Sequence, residues 1–520
     1  MLRNKRTTPY YASGVILFYL IFHFLSLTGF PLMHSDEAWL SGLSRQIATI
    51  GNISSTEPFF DLKSRNPHAL KIVFHGIQIL FFQGFHYSLF TIRLVSLLFG
   101  FLTLFFLYKL ALLILPSQNW ALFTCLLAGI DVQFFYASHF GRQEIILLGI
   151  MVWGCYYLIK HLSGHCIEHD FILGILTGTS IGIHPNGAII ALLFTMIYGY
   201  YLIWNKNLKI LHLCCFCLAT AFFALLFIKL SYWFDPQFIP HYLSYGEQQF
   251  KVLHPLSEKA HSLVGFYQNI YLQKTGTYYC PNLRPEFILF ALVFLYSLFE
   301  LGKNKNSPEP SKQSWLLLAI LAINLGFIII GRFNTTSIIF LFPFFYLLTV
   351  IILTTLPHKW RKTLAAILVL ILLLNTLANV IPSLKFSYSA YLKKIAAAVS
   401  PGTRVLASLN TEYYFQNGKL HDYRNLAYLR KNKLSLGDYI RQKRIQYIIY
   451  PEGLDFIYQQ RPKWNGVYGQ PYYYPEMQRF LKKHCRPVSR FSDRAYGIEI
   501  PAYAGKKNWQ VTVYQVLPDE

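Results

Sequence analysis

Apolar runs of about 20 residues recur along most of this chain, and they leave it few folds to choose from. A helix of that length crosses the roughly 30 Å of hydrocarbon in a bilayer. In lipid only helices and closed barrels satisfy their own backbone. Eleven such runs lie near 12–32, 89–115, 119–138, 145–160, 170–184, 187–203, 210–232, 286–302, 315–331, 334–355 and 362–382. Composition agrees. Of 520 residues, 54% are apolar and 14% charged, about half the charged share of a soluble domain. A disordered chain is excluded. So is a nucleic-acid binder whose basicity comes with a polar surface. The expected fold is an all-α polytopic membrane protein of about 11 transmembrane helices. The first run reads as a retained span, because it is long, ends in Phe30-Pro31-Leu32 and lacks a small-residue cleavage site.

Lys and Arg in short loops set orientation. Arg3, Lys5 and Arg6 precede the first run. Lys206 and Lys209, then Lys303, Lys305 and Lys312, then Lys359, Arg361 and Lys362 follow later ones. These loops share one side only if the amino terminus is cytoplasmic and the segment 68–84 stays at the interface rather than crossing. The expected location is a bacterial inner membrane. Two outer loops, 33–88 and 233–284, then share the far side with a carboxyl-terminal region.

That region, 383–520, changes composition abruptly and supplies about half of the +23 net charge. Arg404–Leu409 and Gln446–Tyr450 read as short buried strands and Leu434–Lys443 as a helix between them. A small α/β extracytoplasmic domain is expected there, following a membrane domain at 1–382. Of the 8 cysteines, Cys214, Cys215 and Cys217 lie within an apolar run, where Cys behaves as a small hydrophobe, and no Cys/His cluster has zinc spacing. Cys280 and Cys485 are the two expected outside the membrane on the outer side.

Charges are scarce, so their placement carries information. His34-Ser35-Asp36-Glu37 follows the first run; its carboxylates suit a substrate at the membrane surface, or the first turn of a helix capped by Ser35. Lys63 and Arg65, two residues apart, suit a phosphate or lipid headgroups. His139, Arg142 and Glu144 lie in a short turn between runs. His184 precedes Pro185 in another turn at the same face. Arg93 opens a span, where it pairs or snorkels. Asp131 lies below the surface, as a functional carboxylate or a hydrogen-bonded structural one. All but Asp131 fall at one interface. A secondary transporter would instead place ionisable groups near the midplane.

With these residues in view, the chain resembles the GT-C glycosyltransferases, and within them bacterial relatives of dolichyl-phosphate-mannose protein mannosyltransferases and of aminoarabinose lipid A transferases. The resemblance rests on Asp36-Glu37 after the first span, Arg65-Asn66-Pro67-His68 before an interfacial helix, and Thr91-Ile92-Arg93-Leu94 through Gly100. Gly141-Arg142-Gln143-Glu144, His184-Pro185 and Ile339-Phe340-Leu341-Phe342-Pro343 extend it over about residues 10–350. It implies transfer of a sugar from a polyprenyl-phosphate donor to a lipid, glycan or protein acceptor at the outer face, with inversion. Asp36 is then the general base, with or without Glu37, and Glu144 holds acceptor or a divalent cation across the cavity. Relatives often carry Asp at that place, so cation binding by Asp36 and Glu144 stays open. Lys63, Arg65 or Lys71 takes the donor phosphate with Arg142, and His139 and His184 line the substrate. The chemistry is consistent from below: a hydroxyl nucleophile needs a base, and a phosphate leaving group needs cations. The alternative reading is a transporter or flippase of lipid-linked saccharides.

Overall fold

A computed structural model describes residues 21–62, 66–204, 208–250, 252–274, 276–303, 312–462 and 473–518. Residues 21–26 are helical and lead into α1 (Ser35–Ile50) and α2 (Ile72–Gly84). The long helices follow: α3 (Leu89–Ile114), α4 (Gln118–Ile130), α5 (Val132–His139), α6 (Glu144–His161), α7 (Ile167–Ser180), α8 (Gly187–Trp204) and α9 (Ile210–Phe234). Two amphipathic helices, α10 (Phe238–Phe250) and α11 (Leu256–Tyr271), precede α12 (Arg284–Lys303), α13 (Lys312–Ile330), α14 (Phe342–Thr355) and α15 (His358–Val380).

Among the described residues, eight helical stretches are long and apolar enough to span a membrane, or nine if α4 and α5, bent by 67°, form one span. The expected count of eleven is therefore not reached. The run 12–32 begins outside the described residues. The run 170–184 is α7, which has 14 residues and stops short of a turn containing Pro185. The segment 68–84 yields α2, whose 13 residues reach only about 20 Å at 1.5 Å each.

The bend between α4 and α5 explains Asp131. Its backbone is extended, and its carboxylate caps α5 by accepting from the Phe134 amide at 2.8 Å. The other oxygen accepts from the Tyr346 hydroxyl at 2.7 Å, and Thr376 donates to the freed Ile130 carbonyl at 2.6 Å. A helix break inside lipid persists where neighbouring side chains satisfy the backbone. Asp131 takes the structural of its two readings.

Beyond α15, α16 (Tyr388–Ala396) leads into a five-stranded sheet of order β2-β1-β3-β5-β4. The strands are β1 (Val405–Ala407), β2 (Leu420–Asp422), β3 (Tyr447–Pro451), β4 (Cys485–Asp493) and β5 (Trp509–Val516). β1 pairs in parallel with β2 and β3, and β5 pairs antiparallel with β3 and β4. The two strands read from sequence are β1 and β3. The helix between them is α17 (Leu436–Lys443), opened by Ser435 and Asp438 in a reciprocal cap. α18 (Gly453–Gln460) and α19 (Tyr473–His484) complete the unit. Cys280 and Cys485 are both free thiols in separate cores.

This unit shares a core with the first loop. Ala38 of α1, Leu89 and Ile92 of α3, and Tyr388, Tyr391, Val405 and Val513 pack in one buried cluster. Arg45 donates to Glu412 at 2.7 Å and to Asn417 at 2.6 Å. The Phe59 carbonyl accepts from Asn425 at 2.8 Å, and Asp61 pairs with Lys443 at 2.7 Å.

Candidate active site

Asp36 and Glu37 are adjacent in sequence and opposite in role. They occupy the first turn of α1, where carboxylates suit the helix dipole. The cap is His34 rather than Ser35. Its Nδ1 accepts from the Asp36 amide at 3.0 Å, so its proton sits on Nε2, which donates to the Thr277 carbonyl at 2.7 Å. Burial keeps His34 below the ordinary imidazole range, in accord with a neutral ring.

Glu37 turns inward and is fully buried. Arg93 of α3 grips it with two bonds of 2.7 Å, and the Gly141 and His34 amides donate to it at 3.0 Å each. Arg93 also donates to the Leu27 and Pro31 carbonyls at 2.9 Å. This network pins the end of the first helix, α1 and the Gly141 turn together. Gly141 permits the approach: a Cβ there would stand 2.7 Å from Ile92 Cδ1 and 3.3 Å from Glu37.

Asp36 turns toward solvent, with about a fifth of its side chain exposed. One oxygen, Oδ2, accepts from Arg142 at 2.7 Å and from the Tyr278 hydroxyl at 2.6 Å. The other, Oδ1, lies 3.8 Å from His34 Nδ1 and takes no hydrogen bond among the described residues. Burial disfavours the charge on Asp36, but Arg142 beside it holds the carboxyl well below the usual carboxylate range. Tyr278 stacks on His34 with ring centroids 4.8 Å apart and also bonds Arg142. It comes from the 233–284 loop, and no sequence signal marked it.

Arg142 lies between two carboxylates. Its second nitrogen pairs with Glu144 at 3.2 Å, and Glu144 also accepts from Thr336 at 2.7 Å. Expected on the donor phosphate, Arg142 is instead committed to Asp36 and Glu144. Expected to hold a divalent cation, those two carboxylates are bridged by a guanidinium that already supplies the positive charge between them. They do not fit a shared cation.

His139, expected to line substrate, is fully buried between helices. Its ring stacks on Phe135, and its nitrogens face the Phe135 and His23 carbonyls at 2.8 Å. His184 lies elsewhere on the site face. Its Nδ1 accepts from the Asn186 amide at 3.1 Å. Its Nε2 stands 3.4 Å from Arg332 Nη1. Burial, and then the charges of Arg332, Lys71, Arg142 and His68, hold His184 well below its usual value. Lys71 is brought near because the Val73 amide, opening α2, bonds the Gly182 carbonyl at 2.9 Å. The structure thus gathers Lys71 and His184, adds Arg332, and leaves Lys63 and Arg65 outside the described residues. Arg332 was legible in principle as a lone cation in a short loop on the His184 side.

A cavity of about 260 Å³ opens beside His34 and Ser35, walled by Tyr136 and Tyr279 on the helical side and Asn410 and Glu499 on the sheet side.

A family model described as dolichyl-phosphate-mannose-protein mannosyltransferase matches residues 69–233, a stretch with Arg93, Arg142, Glu144 and His184 but not Asp36. No curated protein matches the chain. ArnT from Cupriavidus metallidurans, bound to undecaprenyl phosphate, superposes with a TM-score of 0.55 at 14% identity, over 85% of this chain and 96% of that one. The apo oligosaccharyltransferase from Archaeoglobus fulgidus superposes at 0.53 and 12%, over 89% and 72%. At such identities the likeness is one of fold. The GT-C-like fold expected from the sequence is the fold found.

Proposed function

We propose that this protein is a membrane glycosyltransferase that moves a sugar from a polyprenyl-phosphate donor to a hydroxyl acceptor, with Asp36 as general base. The observation that carries the reading is the asymmetry of Asp36. One oxygen is fixed by Arg142 and Tyr278; the other takes no hydrogen bond among the described residues, on a side chain about a fifth exposed. The acceptor oxygen attacks the anomeric carbon, its proton passes to Oδ1, and the carbon–phosphate-oxygen bond breaks with inversion. Arg142 lowers the basicity of Asp36, which suits a proton that becomes acidic only as attack proceeds on an oxocarbenium-like centre.

The leaving phosphate needs donors that are in place beforehand. His184 Nε2 and the guanidinium of Arg332 stand 3.4 Å apart with Lys71 in electrostatic reach, which brings a ring nitrogen and two cations to one place. Lys63 and Arg65 remain candidates for the same role. The relative bound to undecaprenyl phosphate supports a lipid-phosphate donor. The basic short loops support an outer-facing site, in a bacterial inner membrane, with residues 383–520 extracytoplasmic.

Purified protein with a radiolabelled polyprenyl-phosphate sugar tests this. Asp36→Asn should lower transfer about 10²–10⁴-fold and leave donor affinity near wild type. Arg332→Ala should weaken donor binding and rate together, because phosphate is charged in ground and transition states alike. Transfer by Asp36→Asn above about a tenth of wild type ends the base assignment. Transport of donor without release of polyprenyl phosphate ends the transferase reading.

A further inference from the structure

The end of the helical bundle away from Asp36 carries a cluster that the proposed reaction does not use. There α6 ends, a short connection follows, and α7 begins. Two glycines let α7 press against α9: a Cβ on Gly174 would stand 2.5 Å from the Ala219 Cβ, and one on Gly178 2.5 Å from the Thr220 carbonyl. Small residues spaced by four are how helices in lipid approach closely. The approach carries Asp170 of α7 onto His212 in the first turn of α9.

Three elements and a connection then converge on one carboxylate. Asp170 is fully buried. Its Oδ2 meets His212 Nδ1 at 2.6 Å, and its Oδ1 meets His165 Nε2 and, at 2.6 Å, the Tyr198 hydroxyl of α8. His165 and His212 side chains are 1% and 11% exposed. The two imidazole nitrogens and the carboxylate oxygen all lie within 4.8 Å of one another. His165 Nδ1 is buried with no hydrogen bond.

From this convergence we infer that His165, Asp170 and His212 form a binding site for a divalent transition metal ion of the Zn²⁺ type. Two imidazoles and one carboxylate are a donor set that Zn²⁺ takes, with water completing the tetrahedron. Bonds of about 2.0–2.2 Å place ligand atoms roughly 3.3 Å apart. The 2.6 Å His212 contact must therefore open by about 0.7 Å and the widest pair close by up to about 1.5 Å. Charge also favours the ion: Asp170 is a buried carboxylate, and an adjacent cation offsets the cost of holding its charge away from water. Tyr198 then orients the ligating Asp170, the usual part of an outer partner. The bound ion staples the α6–α7 connection, α7 and α9. Sequence spacing hid the site, because His212 joins from 42 residues beyond Asp170.

The test uses the full chain in detergent, stripped by a chelator and titrated with Co²⁺, then Zn²⁺. One Co²⁺ per chain with a tetrahedral absorption spectrum, displaced by Zn²⁺, is expected. His212→Asn keeps a donor toward Asp170 but is a poor ligand, so it should bind at least about tenfold more weakly; Tyr198→Phe should lose about 10–100-fold. Asp36→Asn should bind as wild type, which separates this outcome from that of the transferase reading. A wild-type chain that binds no Co²⁺ overturns the inference, because the cluster is then a hydrogen-bond network alone. A His212→Asn chain that binds as tightly as wild type overturns it too.

Discussion

Neighbouring residues on one helix turn can differ wholly in what they do, as Asp36 and Glu37 illustrate. Adjacent positions on a helix point about 100° apart, so one side chain reaches the open space while the other enters the core. Glu37 is fully buried, with both oxygens on Arg93, and removing one partner of a buried pair costs about 3–5 kcal/mol. Glu37→Gln should therefore lower thermal stability and the yield of folded protein. Asp36→Asn should leave both nearly unchanged, since Asp36 is partly exposed. Unfolding followed by intrinsic fluorescence in detergent compares them. Equal stability of the two variants would contradict the division of roles.

At the scale of elements, the turns at the ends of the helices carry the candidate chemistry, and close packing sets where they stand. The α7–α9 contact is tight because Gly178 has backbone of α9 where a side chain would be. Gly178→Leu should push the helices apart and cost about 1–3 kcal/mol, as overpacking does, lowering the unfolding midpoint. A Gly178→Leu chain as stable as wild type would mean that the helices separate freely. The Gly141 turn works similarly for Arg142. Its amide bonds Glu37, so the same buried pair that anchors α1 also fixes the guanidinium facing Asp36.

The whole molecule joins a helical bundle to a sheet unit through the loop that carries Asp36. Arg424 of the sheet unit lies 4.9 Å over the Trp39 ring, one turn beyond Asp36, and its charge helps hold Asp36 ionised. Glu412, buried beneath α1, is lifted to about 7 by burial, against the pull of Arg45. In the unfolded chain an ordinary Glu titrates near 4.3. Between those values the folded protein holds the proton that the unfolded chain has released, so stability from this group falls as pH rises from about 4.5 to about 7. Glu412→Gln should flatten that part of the stability profile, measured as unfolding midpoint against pH. A profile unchanged by the substitution would remove Glu412 as its source. A phosphatase fused at the carboxyl terminus should be active only outside the cytoplasm, as the basic loops require; activity only inside would invert the orientation and the proposed outer site with it.

The sequence by itself determined the class of fold, most of the long helices and the face to which scarce charges gather. Each follows from a local cause: run length against bilayer thickness, and the cost of a charge in lipid. β1, β3 and α17 were legible for the same reason, as short apolar runs around a capped helix. β2, β4 and β5 were not, because β2 has three residues and exposed positions of β4 blur its pattern. The tertiary structure alone decided which carboxylate turns outward, that Arg142 spans Asp36 and Glu144, that His139 is packing, and that Arg332 and Tyr278 join the site. All but the Arg142–Glu144 and His139–Phe135 contacts link residues far apart in the chain, from 56 positions between Glu37 and Arg93 to 242 between Asp36 and Tyr278. No local pattern encodes them, because they depend on how helices cross and on which turns meet at one end of the bundle.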